Sequence, residues 1–220
     1  MGRTVGIILA GGIGSRFCGD KPKQYCLLNG KEIISYSINA FKASKRIDNF
    51  IVVVDRDEYL SKHVENQYNV ETVLGGSTRN KSLQKALSYI EKHYPDCEKV
   101  VENNAACPMV TPDVLDLLID YLNVYDFAQC AYKITDALGS FKHRNVNRDD
   151  FFLIQSPDAY RFHTLIKYFD SDSKIGHPAA QMPEEVRGIN YFDFHPNFKI
   201  TYPEDLRIAE LLLSQKKKLI

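Results

Sequence analysis

The chain has 220 residues, of which 44% are apolar, and this is enough to build a sizeable core in one α/β domain. Lys plus Arg equals Asp plus Glu at 28 each, so the net charge gives no argument for a general nucleic-acid-binding or membrane-binding surface. The five cysteines form no C-x-x-C pair, which favours free thiols in a reducing, cytoplasmic setting.

The predicted elements alternate between buried strands and amphipathic helices. A short apolar run at 5–10 ends in glycines and predicts a parallel strand, and residues 32–43 carry apolar side chains at helical spacing. Further strands are predicted at 50–54, 70–74, 99–101 and 127–134, and further helices at 57–66, 79–92, 112–122 and 203–213. This order predicts a Rossmann-like, mostly parallel sheet with helices on both faces, in a single domain over 1–220.

Residues 135–158 interrupt that alternation, because they are polar and lack helical periodicity. We expect them to leave the sheet as a protruding β-arm. Ligands of such sheets bind at the carboxyl ends of the strands. The glycines at 11–14 and 75–76 each follow a predicted strand, so both are expected at the same edge.

The loop LAGGIGSRFCGDKPKQY, residues 9–25, predicts an anion site, because glycines before a helix present backbone N–H groups. The P-loop pattern is absent, and the dinucleotide pattern that starts at Gly12 fails at Phe17. Arg16 and Lys23 supply two cations across this loop. Together with the backbone donors they are expected to bind a triphosphate.

Five motifs in order resemble a known family over nearly the whole chain. They are LAGGIGSRF followed by PKQY, GGSTRNKS at 75–82, NNAACP at 103–108, QSP at 155–157 and NFKITYPEDL at 197–206. On these motifs the chain resembles the 2-C-methyl-D-erythritol 4-phosphate and ribitol-5-phosphate cytidylyltransferases. LAGG, in place of PAAG, favours the ribitol-phosphate type.

The resemblance implies that the chain transfers CMP from CTP to a small phosphorylated alcohol, with Mg²⁺ as cofactor, and releases pyrophosphate. Arg16, Lys23 and Lys199 would stabilise the charge on the reacting phosphates. Arg148 would position the acceptor phosphate in the neighbouring subunit's site from the β-arm, which implies a homodimer. No nucleic acid or membrane partner is expected.

The resemblance also assigns the binding residues. CTP would contact Leu9, Ala10, Gly11, Gly12, Gly14, Ser15, Gly75, Gly76, Arg79, Ser82, Asn104 and Ala105. The acceptor would contact Ala137, Ser156, Gly176 and His177. Thr78 and Lys81 are predicted to be solvated or structural.

Departures from the family pattern cluster around the metal and the acceptor. Asn104 replaces the family's metal-binding aspartate, and Cys107 replaces an arginine and is predicted to be a buried small residue rather than a reactive thiol. Ala137 replaces a threonine of the arm, and Gly176-His-Pro-Ala179 replaces T-D-[DE]-A. Because Mg²⁺ prefers carboxylate and phosphate oxygens, the triphosphate would hold the metal largely by itself, or activity would be weak.

These departures lead to a hypothesis on the acceptor. The sequence favours a cytidylyltransferase that acts on ribitol 5-phosphate or another polyol phosphate for capsule or teichoic acid synthesis. One alternative is a catalytically impaired homologue that binds CTP. Another is a methylerythritol phosphate cytidylyltransferase of isoprenoid synthesis. A third, a GTP- or UTP-dependent enzyme, conflicts with the GGSTRNKS motif.

Overall fold

The computed structural model describes residues 2–12, 17, 21–195 and 197–216. The strands are β1 Arg3–Leu9, β2 Leu27–Leu28, β3 Lys31–Glu32, β4 Asn49–Val54, β5 Glu71–Leu74, β6 Cys97–Asn104, β7 Phe127–Lys133, β8 Phe152–Arg161 and β9 Gly188–Tyr191. The helices are α1 Ile33–Ala43, α2 Arg56–Ser61, α3 His63–Tyr68, α4 Arg79–His93, α5 Pro112–Tyr121, α6 Phe162–Tyr168 and α7 Pro203–Lys216.

Seven strands form one mostly parallel sheet in the order β5-β4-β1-β6-β8-β7-β9. Strand β8 lies between β6 and β7 and runs antiparallel to both, whereas the other described pairs in this sheet are parallel. The predicted fold class is confirmed. The antiparallel strand matters for the site, because it brings residues 155–158 beside the carboxyl end of β6.

Helices cover both faces of the sheet, and the alternation of side chains along β1 separates two cores. Ile8 and Ala10 pack with Ile34 and Phe41 of α1 and with the apolar side of α5. On the opposite face Val5 and Ile7 pack with apolar residues of α4 and α6. A strand that is buried on both faces carries apolar side chains in both directions, as the continuous run in β1 does.

Helices α2 and α5 each start at a side-chain cap. Asp55 accepts hydrogen bonds from the N–H groups of Asp57 and Glu58, and Thr111 caps α5, which has Pro112 in its first turn. The single helix that was predicted over 57–66 is wrong. The segment forms α2 and α3 instead, because Lys62 adopts a left-handed conformation with φ of 57° between them.

The predicted limits of the arm also need correction. Residues 152–161 form strand β8, and the segment from 156 to 160 is buried. The polar residues Gln155, Ser156 and Asp158 and a proline in its middle hid this strand from a pattern based on alternating apolar side chains. The irregular connection between β7 and β8 is therefore 134–151, and it is mostly exposed.

Two further features concern the chain as a whole. Across the ranges that the structure describes, no helix combines the length and the apolar character that a bilayer span needs. Four of the cysteines lie in those ranges, and their thiols are free: Cys26, Cys97, Cys107 and Cys130.

Candidate active site

The loops at the carboxyl ends of β1, β4, β5 and β6 surround a cavity of about 880 Å³, which we call the larger cavity. Its lining includes ten of the predicted CTP residues, namely Leu9, Ala10, Gly11, Gly12, Gly75, Gly76, Arg79, Ser82, Asn104 and Ala105. Lys23 also lines it. The two glycine loops therefore meet at one edge of the sheet, as the parallel topology predicts.

The first glycine loop is braced by Gln24, which is 3% exposed. Its amide Nε2 donates to the carbonyl oxygens of Ala10, at 2.6 Å, and Gly12, at 3.1 Å. A Cβ added at Gly12 would meet no atom within 4 Å. The space beside Gly12 is therefore open. Sequence reasoning gave Gln24 no role, although it lies in the PKQY motif. The predicted site residues Gly14, Ser15 and Arg16 lie outside the described residues.

The second glycine turn is held by the helix that follows it. The Gly76 N–H donates to Ser82 Oγ at 3.0 Å, and Lys85 Nζ donates to the Gly75 carbonyl at 2.8 Å. A Cβ on Gly76 would lie 2.5 Å from Cβ of Lys81, so the close approach of turn and helix requires glycine here. Thr78 caps α4 by accepting from the Lys81 N–H at 3.1 Å, a structural role of the kind predicted for it.

A smaller cavity of about 370 Å³ adjoins the larger one. Three predicted acceptor residues line it, namely Ser156, Gly176 and His177. The apolar part of its lining consists of Leu153, Ile154, Phe198 and Cys107. Cys107 is buried, and burial raises the pKa of its thiol to about 12. This agrees with the predicted packing role, since a protonated thiol is a poor nucleophile.

Three side chains line both cavities: Arg79, Asn104 and Lys199. Asn104 Nδ2 donates to Ser156 Oγ at 2.5 Å, and Asn104 Oδ1 accepts from Lys199 Nζ at 3.5 Å. A group in the larger cavity and a group in the smaller one would therefore meet beside an amide and an ammonium. We call Asn104 and Lys199 the border residues.

The NFKIT motif positions Lys199 through its neighbours. Asn197 is buried and donates from Nδ2 to the Ser156 carbonyl at 2.6 Å, while Gln155 Nε2 donates to the Asn197 carbonyl at 3.0 Å. On the other side Ile200 is fully buried, and its N–H donates to the Ala106 carbonyl at 2.8 Å. Lys199 therefore projects from a segment that is anchored on both sides.

A polar network whose pairing was not visible in the sequence forms part of the wall of the smaller cavity. Arg79 Nη2 pairs with Glu102 Oε1 at 2.5 Å, and His177 Nε2 pairs with Asp158 Oδ2 at 3.1 Å. Glu102 and Asp158 are directly opposite each other in the antiparallel β6–β8 pair. Glu102 follows two apolar residues of β6, Val100 and Val101, and only the strand pairing shows its partners.

The pKa shifts of this network have physical causes. Burial raises the pKa of Glu102, and the Asp158 carboxylate adds to that rise, against the effect of Arg79. Burial by itself lowers the pKa of His177, but its hydrogen bond to Asp158 and the charge of that carboxylate outweigh burial, so the pKa is raised. His177 is therefore biased toward the imidazolium form.

Two predicted acceptor residues line neither cavity within one chain. Ala137 and Arg148 lie in the exposed 134–151 connection, and the Arg148 guanidinium donates to the carbonyl of Thr135 in the same connection. A role for Arg148 in a neighbouring subunit stays a prediction.

The donor set for a divalent cation is sparse. In the part of the chain that the structure describes, no three His, Cys, Asp or Glu side chains come close enough to hold a metal ion. Asn104 offers one neutral amide oxygen at the border of the cavities. A cation there would take most of its ligands from phosphate oxygens, which suits Mg²⁺ bound with a nucleotide.

Known proteins resemble this chain in family, in sequence and in structure. The family model described as 2-C-methyl-D-erythritol 4-phosphate cytidylyltransferase matches residues 4–215. Proteins of that name from Clostridium perfringens (strain SM101 / Type A) and Clostridium botulinum (strain 657 / Type Ba4) are among its relatives. The first is 30% identical over 225 residues, covering 96% of this chain and 98% of its own. The second is 29% identical over 231 residues, covering 98% and 99%.

Solved structures agree with these relatives. The crystal structure of Francisella tularensis 2-C-methyl-D-erythritol 4-phosphate cytidylyltransferase is 26% identical, with a TM-score of 0.78 over 95% of this chain and 99% of that one. A 4-diphosphocytidyl-2C-methyl-D-erythritol synthase from Anaerococcus prevotii has a TM-score of 0.80 at 21% identity, covering 97% of this chain and 99% of its own. The latter supports the fold alone.

Proposed function

The chain belongs to the 2-C-methyl-D-erythritol 4-phosphate cytidylyltransferase family, and on that premise we propose that it transfers CMP from CTP to 2-C-methyl-D-erythritol 4-phosphate. Its enzyme class is that of the CTP-dependent nucleotidyltransferases. The observation that carries the proposal is the pair of adjoining cavities with Asn104 and Lys199 at their border. A reaction between two phosphorylated substrates needs such a common border.

The proposed reaction joins two anions. An oxygen of the acceptor phosphate forms a bond to the α-phosphorus of CTP, the bond from that phosphorus to the bridging oxygen of the β-phosphate breaks, and pyrophosphate leaves with the electron pair. The attacking oxygen is already ionised, so no general base is needed. The protein has to align the two phosphates and offset the charge that accumulates between them.

The border residues and Lys23 suit this task. Lys199 projects from its anchored segment toward both cavities, where the α-phosphate and the acceptor phosphate would meet. Lys23 lines the larger cavity beside the first glycine loop, where it would offset charge on the triphosphate. Arg16 would contribute similarly by resemblance, and that role stays a prediction. Asn104 would hold Mg²⁺ together with the triphosphate, and the ion would neutralise phosphate charge.

The choice of acceptor corrects the expectation from the sequence. A ribitol-phosphate acceptor and a role in capsule or teichoic acid synthesis receive no support, since the family model and the relatives carry the methylerythritol name. The alternative of an isoprenoid-pathway enzyme is the better supported one. A homodimer and a cytoplasmic location remain proposals.

A coupled assay of pyrophosphate release tests the proposal. Protein with CTP and Mg²⁺ is given 2-C-methyl-D-erythritol 4-phosphate, with ribitol 5-phosphate and glycerol 3-phosphate as matched polyol phosphates. We expect release with the first acceptor and little with the other two. Faster release with ribitol 5-phosphate would overturn the proposed acceptor. Stabilisation of the fold by UTP or GTP but not by CTP would overturn the proposed nucleotide.

An impaired homologue that only binds CTP is the second candidate, and the replacement of the family aspartate by Asn104 favours it. It predicts a rise in melting temperature with CTP but no pyrophosphate release with any acceptor. Both readings predict stabilisation by CTP, so pyrophosphate release is the measurement that separates them.

A further inference from the structure

The first turn of α4 holds the segment that forms one wall of the smaller cavity. We call this segment, residues 171–177, the wall segment. Three consecutive side chains of α4 contact it: Arg79 Nη1 donates to Gly176 O at 2.8 Å, Asn80 Nδ2 to Ile175 O at 3.0 Å, and Lys81 Nζ pairs with Asp172 Oδ1 at 2.6 Å. The same helix start follows the turn that lines the larger cavity. One element therefore shapes both cavities.

The wall segment ends at His177, whose position is fixed from a second direction. Asp158 holds the imidazole at 3.1 Å, and Asp158 is 1% exposed. Glu102 is 2% exposed; it pairs with Arg79 and lies opposite Asp158 in the sheet. We call these four residues the wall network: Arg79, Glu102, Asp158 and His177. Their contacts form a closed loop, because the carbonyl of Gly176, next to His177, accepts a hydrogen bond from Arg79.

The two carboxyls of the wall network are buried and therefore need positive charge beside them. Glu102 Oε2, Asp158 Oδ1 and His177 Nδ1 are buried and have no hydrogen-bond partner among the described residues. Because Nε2 of His177 is bonded to Asp158, the imidazole acts on the cavity through its charge and not through an N–H group. Loss of the charge on His177 would leave the Asp158 carboxylate buried without its cation, which is unfavourable. The network therefore stabilises the imidazolium at the cavity wall.

We propose that His177 is a specificity-determining residue for the anionic acceptor, and that Arg79, Glu102 and Asp158 are positioning residues that hold it at the wall of the smaller cavity. This inference rests on the proposed function, because it assumes that the smaller cavity receives a phosphorylated alcohol. It adds a cation that acts on the acceptor and not on CTP. His177 lines the smaller cavity only, whereas Arg79 lines both.

The groups that face His177 decide how its charge responds to pH. They are Asp158 on β8, Glu102 on β6 and Arg79 on α4, with Lys199 on the same cavity. The two carboxyls favour the imidazolium and Arg79 opposes it. The charge is present below the raised pKa of His177 and is lost as the pH rises through it. The acceptor should therefore bind more weakly at higher pH.

The variant His177→Gln removes the charge and keeps a polar side chain. We expect the KM for the acceptor to rise about tenfold, because a positive charge at the wall of the smaller cavity is lost, while the KM for CTP changes less than twofold. His63→Gln is the matched control, because His63 pairs with Glu32 at 3.2 Å on the surface and lines neither cavity. It should leave both KM values unchanged.

Asp158→Asn and Glu102→Gln test the positioning roles with nearly isosteric changes. Asp158→Asn should lower the pKa of His177, so the rise of the acceptor KM with pH should begin at lower pH than in the unmodified protein. A purely structural role would change stability without moving that profile. NMR titration of the His177 ring checks the same shift directly, independently of turnover.

These experiments distinguish a failure of the proposed function from a failure of this inference. Absence of turnover of every acceptor by the unmodified protein would defeat the proposed function and this inference with it. Normal turnover with an acceptor KM that His177→Gln leaves unchanged would defeat this inference alone. An acceptor KM and a CTP KM that rise equally in His177→Gln would also overturn it, because the residue would then act on the site as a whole.

Discussion

The two cavities differ in how the chain builds them. The larger cavity is formed by loops that directly follow β1, β4, β5 and β6, so its residues come from short motifs, each beside its own strand. The smaller cavity combines β8, the wall segment and residues 197–199, which lie far apart in the sequence. The first kind of site is visible in sequence motifs, whereas the second depends on strand order.

The cavities also differ in charge and surface. Among the described residues of the larger cavity, Asp55 is the one acidic residue in the lining. The basic residues in that lining are Lys23, Arg56, Lys85 and the shared Arg79 and Lys199. The smaller cavity joins an apolar wall to one paired carboxylate, Asp158. The larger cavity therefore suits a highly charged triphosphate, and the smaller one suits a molecule with both a carbon skeleton and an anionic group.

The largest effect on turnover is expected at Lys199, because this residue lines both cavities. Lys199→Ala should lower kcat by about 10²–10³-fold, because a preorganised charge beside the reacting phosphates is lost. Steady-state kinetics with saturating CTP and acceptor measures it. Lys42→Ala is the control, since Lys42 lines neither cavity and contacts the Tyr68 carbonyl. A kcat within threefold of the unmodified value would remove Lys199 from its proposed role.

A smaller effect, confined to the larger cavity, is expected for Gln24→Ala. Its loss removes two hydrogen bonds that brace the glycine loop, each contributing about 1 kcal/mol. The KM for CTP should rise about tenfold while the acceptor KM stays within twofold, as measured in the same assay. Gln84→Ala, a change on α4 at a residue that lines neither cavity, should alter neither KM value. Equal rises in both KM values would show that the two cavities do not behave separately.

The smallest effect is expected for Asn104→Asp, which adds a carboxylate at the border. Because carboxylates are better Mg²⁺ ligands than amides, the Mg²⁺ concentration for half-maximal activity should fall about threefold to tenfold. A titration of activity against Mg²⁺ at fixed CTP measures it. Gain of turnover by a previously inactive protein would instead support the impaired homologue. An unchanged midpoint would place the cation away from residue 104.

Local patterns in the sequence determined much of the fold and of the larger cavity. The apolar run of β1, the helical spacing in α1 and the caps of α4 and α5 involve neighbouring residues, so their physics is visible in a short window. The glycines at 11–12 and 75–76 and the cation Lys23 were identified for the same reason. The meeting of both glycine loops at one edge followed from parallel topology.

Tertiary structure decided what depends on pairing between distant segments. Strand β8 was hidden in the predicted arm, and its antiparallel insertion beside β6 places Asp158 opposite Glu102. Neither carboxylate belongs to a motif with a predicted role, and their burial becomes tolerable only through Arg79 and His177. A buried charge is stable only when its partners surround it, and those partners come from α4, β6, β8 and the wall segment. Folding alone brings them together.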